Sequence, residues 1–137
     1  MNDIKFDNVL RHFFYSGRAS RMSRRHGDMY LVVDNSPEDI YLICTAIENE
    51  GGKVVSASCS EEGKRAIFGL GDRLLCVVID HSNYALVDWV KDHFPHLPVV
   101  LYTGFPGVKE KETVTNPQLT PVSKGDISEL LHAIGLK

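Results

Sequence analysis

Two short apolar runs, Tyr30-Leu-Val-Val-Asp34 and Cys76-Val-Val-Ile-Asp80, each end in an aspartate, forty-six positions apart. A third, Val99-Val-Leu-Tyr-Thr103, ends in a hydroxyl followed by Gly104. A continuous apolar run of this length reads as a strand buried on both faces, and so as part of a parallel sheet. The carboxyl ends of the strands in such a sheet share one edge, where ligands bind. Two carboxylates and a threonine are therefore expected to meet on one rim.

From Met29 onward strand and helix patterns alternate. Ser36-Pro37-Glu38-Asp39 supplies a capping serine and a proline at the first helical position. Ile40, Ile43, Cys44 and Ile47 then mark one helical face, which ends at Gly51-Gly52. Lys53 to Ala57 reads as a β-branched strand, and Ser60-Glu61-Glu62 opens a helix carrying Ala66, Ile67 and Leu70. Leu74 to Ile79 is the most apolar strand and belongs at the centre of the sheet. Leu86, Trp89, Val90 and Phe94 form the next helical stripe, and Pro98 to Tyr102 the fourth strand. Between Gly104 and Pro121 the pattern weakens to at most one short helix and a short strand near Gln118 to Thr120. Ser123-Lys-Gly-Asp126 reads as a capping box before Ile127, Leu130, Leu131 and Ile134. Five strands alternating with about five helices predict a doubly wound α/β domain over residues 29–137.

Residues 1–28 fall outside that alternation. Phe6, Val9, Leu10, Phe13 and Phe14 predict an N-terminal amphipathic helix, and residues 16–26 a basic linker with four arginines and no acid. A formal net charge of -3 gives no general attraction to nucleic acid or to an anionic membrane. No apolar stretch approaches the roughly 20 residues that span a bilayer, and no signal-peptide pattern is present, so a cytoplasmic location is expected. Cys44, Cys59 and Cys76 lack metal-ligand or disulfide spacing and read as reduced thiols. The six histidines make no metal-site spacing; His81 is the one of interest, through its place beside Asp80. No GxGxxG follows a strand, and no GxSxG or Cys/His pairing supports a hydrolase.

The order of these pieces resembles the receiver domain of two-component response regulators. Leu31-Val-Val-Asp-Asn-Ser-Pro-Glu-Asp39 is similar to their first strand and acidic turn, and Gly52-Lys-Val-Val-Ser-Ala-Ser58 to their second strand. Val77-Val-Ile-Asp80 resembles the strand that ends in the phosphoacceptor, and Pro98-Val-Val-Leu-Tyr-Thr-Gly104 the strand that ends in the switch hydroxyl. Leu119-Thr-Pro-Val-Ser123 resembles the loop that normally reads Lys-Pro. The resemblance implies a flavodoxin-like five-stranded parallel sheet in the order 2-1-3-4-5. It implies Asp80 as phosphoacceptor, Thr103 as switch hydroxyl, and a magnesium site made by Asp34, Asn35, Asp80 and the carbonyl of Ser82. It also implies a protein partner: a kinase, an output protein or a second copy. Apart from the resemblance, the N-terminal helix or the final helix is the expected contact for a second copy.

The sequence departs from the family pattern in several places. The second acidic position is Asn35, which removes one negative charge from the magnesium site. The lysine before the proline is read as Thr120, so the main phosphoryl cation is absent. Lys124 and Lys109 are the nearest replacements, but loop cations seldom reproduce a preorganised donor. The switch aromatic falls near Pro117, and His81-Ser-Asn83 runs almost directly into a helix. Losing a charge-assisted contact to a phosphoryl group costs about 2–4 kcal/mol, a rate roughly 30- to 1,000-fold lower. These departures favour a pseudo-receiver that signals by protein–protein interaction and is no enzyme beyond self-phosphorylation. The alternatives are a response regulator phosphorylated on Asp80 with magnesium and, in another class, a small flavodoxin-like enzyme or ligand binder.

Overall fold

The computed structural model describes residues 27–104 and 118–137. The expectations placed on the N-terminal helix, the basic linker, Lys109 and Pro117 lie outside those residues. Five strands are described: β1 (Met29–Val33), β2 (Lys53–Ala57), β3 (Leu74–Asp80), β4 (Val99–Thr103) and β5 (Leu119–Ser123). Four α-helices accompany them: α1 (Pro37–Asn49), α2 (Ser60–Leu70), α3 (Tyr84–His93) and α4 (Ile127–Ala133). All strand pairs are parallel, as the sequence pattern predicts, and the sheet order is β2-β1-β3-β4-β5, as the family resemblance implies.

The alternation of side chains along each strand divides the core into two layers. Leu31, Val33, Val77, Ile79, Val99 and Leu101 face α2 and α3, where they meet Ile67, Leu70, Leu86, Val87 and Val90. Tyr30, Val32, Cys76, Val78, Val100, Tyr102 and Val122 face α1 and α4, against Ile43, Ile47, Leu130 and Leu131. A strand buried on both sides has no polar position to spare, which is why these segments read as unbroken apolar runs. The helices start where their caps dictate. Ser36 accepts the Asp39 N–H at 3.3 Å, and Pro37 opens α1 with a ring that needs no donor.

Two boundaries differ from the sequence reading, and together they move one residue that matters. The last strand runs on to Ser123, with Pro121 paired opposite Leu101 on an edge strand that tolerates a missing N–H. The final helix is capped by Asp126, which accepts the Glu129 N–H at 2.9 Å, and not by Ser123. Thr120 therefore lies in mid-strand, opposite Val100 and exposed, and Lys124 becomes the first residue beyond the sheet. At the opposite end of the sheet, Asp28 ties the start of β1 down. Its N–H donates to the Arg73 carbonyl at 3.0 Å, and its carboxylate receives Arg73 Nε at 3.0 Å and Lys53 Nζ at 3.2 Å.

Candidate functional site

Asp34 follows the last residue of β1, Asp80 ends β3 and Thr103 ends β4, so all three lie on one carboxyl rim. Val33 pairs with Ile79, and Asp80 with Tyr102, which sets the two aspartates side by side at the same height. All three side chains are buried, Asp34 at 2% exposure and Thr103 at 3%.

Asp34 is held by the neighbouring strand and by its own turn. Its N–H donates to the Ala57 carbonyl at 3.1 Å, and its Oδ1 accepts the Ser36 N–H at 2.8 Å. Its Oδ2 is buried and accepts no hydrogen bond, although the Lys124 ammonium lies 3.5 Å away. Asp80 is more tightly engaged. Its Oδ2 accepts both the N–H of Ser82, at 3.0 Å, and the Ser82 hydroxyl, which folds residues 81–83 into a 3-10 turn leading straight into α3. Its Oδ1 accepts from the ammonium of Lys124. The His81 ring lies against Tyr84, with centroids 5.8 Å apart.

Lys124 corrects the expectation that this rim lacks its cation. The ammonium pairs with Asp80, with Asp39 at 3.0 Å and with Asp34 at 3.5 Å. The residue read as the lysine position, Thr120, is four places too early, because Pro121, taken as the proline of the Lys-Pro loop, lies inside β5. The alternative cap was legible: Asp126-x-x-Glu129 is itself a capping-box spacing. Asp39 was not singled out either. The Ser36-Pro37 start puts it in the first turn of α1, beside the rim.

The charges respond to this arrangement in opposite directions. Burial, together with the charges of Asp80 and Asp39, pushes the Asp34 carboxyl above the usual range, against the pull of Ser36 and Lys124. Burial acts the same way on Asp80, but the hydrogen bonds from Lys124 and Ser82 outweigh it and hold that carboxyl low. Burial works against the charge on Lys124, yet the bonds to Asp80 and Asp39 and the charge of Asp34 raise its pKa well above that of an ordinary lysine. Three carboxylates and one ammonium leave the cluster with an excess of negative charge.

Among the described residues no group of three or more His, Cys, Asp or Glu side chains forms a metal-binding cluster. Asp34 and Asp80 nevertheless fit a hard divalent cation that keeps most of its waters, since such ions are often held by one or two carboxylates. Asp34 Oδ2, which accepts no hydrogen bond and faces the Lys124 ammonium at 3.5 Å, and the Asp80 carboxylate would be the oxygens to hold it. Asn35 is committed elsewhere: its Oδ1 accepts from Asn83 Nδ2 at 2.9 Å, and Asn83 Oδ1 in turn accepts from the Ser60 hydroxyl at 3.0 Å. This amide chain links three loops of the rim. Asn83 was not anticipated, and nothing but its nearness to Asp80 marks it in the sequence.

The same fold occurs in solved receiver domains. A response regulator receiver domain protein from Clostridium thermocellum is 22% identical, with a TM-score of 0.70 over 77% of this chain and 90% of that one. A CheY-like receiver domain protein from Methanospirillum hungatei is 18% identical, with a TM-score of 0.67 over 79% and 90%. A response regulator from Thermotoga maritima, crystallised in complex with Mg2+ and BeF, is 18% identical, with a TM-score of 0.68 over 78% and 96%. No family model and no curated protein matches the sequence. The chain has the receiver fold.

Proposed function

We propose that the protein is a receiver-type signalling module in which Asp80 accepts a phosphoryl group. The observation that carries this reading is the Lys124 ammonium, which bonds Asp80 Oδ1 with Asp34 beside it. Phosphoryl transfer to a carboxylate needs little covalent help from a protein; positioning and charge neutralisation supply most of the catalysis. Asp80 is held at the rim by Ser82 and stays ionised, so a carboxylate oxygen is ready to attack phosphorus while the donor's leaving group departs with its electron pair. Lys124 is placed to follow the charge from the carboxylate to the phosphoryl oxygens. Magnesium bound to Asp34 and Asp80 would supply further charge neutralisation. Thr103, at the adjacent strand end, is the candidate switch hydroxyl. The signal passes on by protein contact, to a kinase, an output protein or a second copy.

One observation favours a second reading, the pseudo-receiver. Asn35 replaces a charge in the magnesium site with an amide already bonded to Asn83, which suits a rim that is complete without a phosphoryl group. Incubation with phosphoramidate or acetyl phosphate plus magnesium, followed by intact mass, separates the two. The proposed function expects one phosphoryl adduct that is lost in Asp80→Asn. An unmodified mass under conditions that label a known receiver sinks it in favour of the pseudo-receiver.

A further inference from the structure

Lys124 comes from the end of β5, and Asp80 ends β3; between them lies β4, with Tyr102 paired to Asp80 on one side and to Val122 on the other. Tyr102 and Asp80 project on the same face of the sheet, since register partners share a face. To reach Asp80, the lysine side chain passes above the tyrosine, and its Nζ lies 5.8 Å from the ring centroid. The phenol oxygen of Tyr102 accepts the N–H of Gly125 at 2.8 Å. The backbone on the other side of the lysine is pinned as well, by the Lys124 N–H donating to the Thr103 carbonyl at 2.7 Å.

That phenol bond depends on what residue 125 is. The resembling family has proline after its lysine, and proline offers no N–H. Here Gly125 supplies the donor, and its φ of +98° is a conformation that side-chain-bearing residues rarely adopt. Sequence and geometry thus agree on a loop built to turn its amide toward the tyrosine.

We propose that Tyr102 is a positioning residue that fixes the Lys124 loop and so aims the ammonium at Asp80. The proposal deepens the phosphoacceptor reading and rests on it for its kinetic consequence, but the positioning itself is measurable without phosphorylation. Tyr102 is buried, at 3% exposure, and Tyr102→Phe keeps the ring and the packing while removing the acceptor oxygen.

The test compares the full-length wild type, Tyr102→Phe, Lys124→Met and the double variant. By NMR, Tyr102→Phe is expected to speed hydrogen exchange at the Gly125 amide roughly three- to tenfold, the weight of one neutral hydrogen bond, and to broaden the Lys124 ammonium signal. Labelling of Asp80 by phosphoramidate is expected to slow by a similar roughly three- to tenfold, and this slowing should vanish in the Lys124→Met background. A merely structural role for Tyr102 would slow both backgrounds alike, and that result overturns the proposal. Unchanged Gly125 exchange together with an unchanged ammonium signal overturns it too. If wild type takes no label at all, the phosphoacceptor reading fails, and the two NMR measurements still decide whether Tyr102 holds the lysine.

Discussion

Lys124 and Asp80 are forty-four positions apart in the chain, and the ammonium of one donates to Oδ1 of the other. The contact spans the sheet from the end of β5 to the end of β3. It gives the rim its cation, and Lys124 is the residue that pairs with all three of the rim's carboxylates, Asp34, Asp39 and Asp80.

Replacing Lys124 by methionine leaves Asp34, Asp39 and Asp80 facing one another with no compensating charge. Removing one partner of a buried ion pair costs about 3–5 kcal/mol. The Lys124 side chain is 30% exposed, however, and solvent screening reduces the loss. Lys124→Met is therefore expected to unfold in urea with a free energy about 1–3 kcal/mol below wild type near neutral pH. Labelling of Asp80 should slow by roughly 30- to 1,000-fold. A variant that labels at the wild-type rate would show that the cation has no part in the transfer.

Asn35 tests the magnesium side of the rim. An aspartate there keeps an oxygen to accept from Asn83 Nδ2, now 2.9 Å away, and adds the charge that the resemblance leads one to expect. Coulomb attraction between close charges in a partly solvated site reaches several kcal/mol. Asn35→Asp is accordingly expected to bind Mg2+ at least about tenfold more tightly by calorimetric titration. It should also be less stable than wild type in the absence of the ion, since it adds a fourth acid to the cluster. Equal magnesium affinity in the two proteins would place the ion elsewhere or nowhere on this rim.

The fold was legible because strands buried on both faces announce themselves. Leu31 to Val33 and Val77 to Ile79 are short, rich in β-branched residues and bounded by turn signals, which favours strand over helix, and the helical stripe of Ile40, Ile43 and Ile47 sits between turn signals. The strand ends then placed Asp34, Asp80 and Thr103 on one rim with no knowledge of the structure. The lysine was missed because β5 carries a weak pattern. Pro121 argues against a strand until one knows that β5 is at the edge, and Ser123 and Asp126 compete as the cap of the next helix. Matching Pro121 to the proline of the Lys-Pro loop put Thr120 in the lysine's place, four residues before Lys124. Asn83 and Tyr102 were illegible for a different reason. Their roles exist only once three loops, or three strands, have been brought together.

Gly63 reports on how closely α2 approaches the sheet. A methyl group built there lies 2.9 Å from Leu86 Cδ2 and 3.1 Å from Val33 Cγ2, and both neighbours are fully buried. Gly63→Ala gains helix propensity, but overpacking a tight core costs about 1–3 kcal/mol, so net destabilisation of about 1 kcal/mol in urea is expected. The rim chemistry should survive, because the clash lies on the α2 and α3 side while Lys124 reaches Asp80 on the other. A large loss of Asp80 labelling in this variant would mean that the two layers are coupled.

Asp34 and Asp80 predict opposite responses to acid. The Asp80 carboxyl is held below its ordinary value of 3.8, so the stability it contributes is present above that value and is lost as pH falls through the folded-state pKa. The Asp34 carboxyl is raised above 3.8, and the sign reverses. Its contribution is most favourable below 3.8, where it is protonated in both states, and declines as pH rises through the raised folded-state pKa. At neutral pH Asp34 is thus a carboxylate whose charge weakens the fold. Asp34→Asn retains the oxygen that accepts from Ser36 and removes the charge, and is expected to be more stable than wild type at pH 7 by roughly 0.5–2 kcal/mol. Urea titrations at stepped pH should show that advantage shrinking as pH falls through the raised pKa toward 3.8, while Asp80→Asn shows no such convergence in the same window. An Asp34→Asn variant whose advantage stays constant from pH 7 down to pH 4 would show that Asp34 carries no raised pKa and that the charge on the rim is balanced differently.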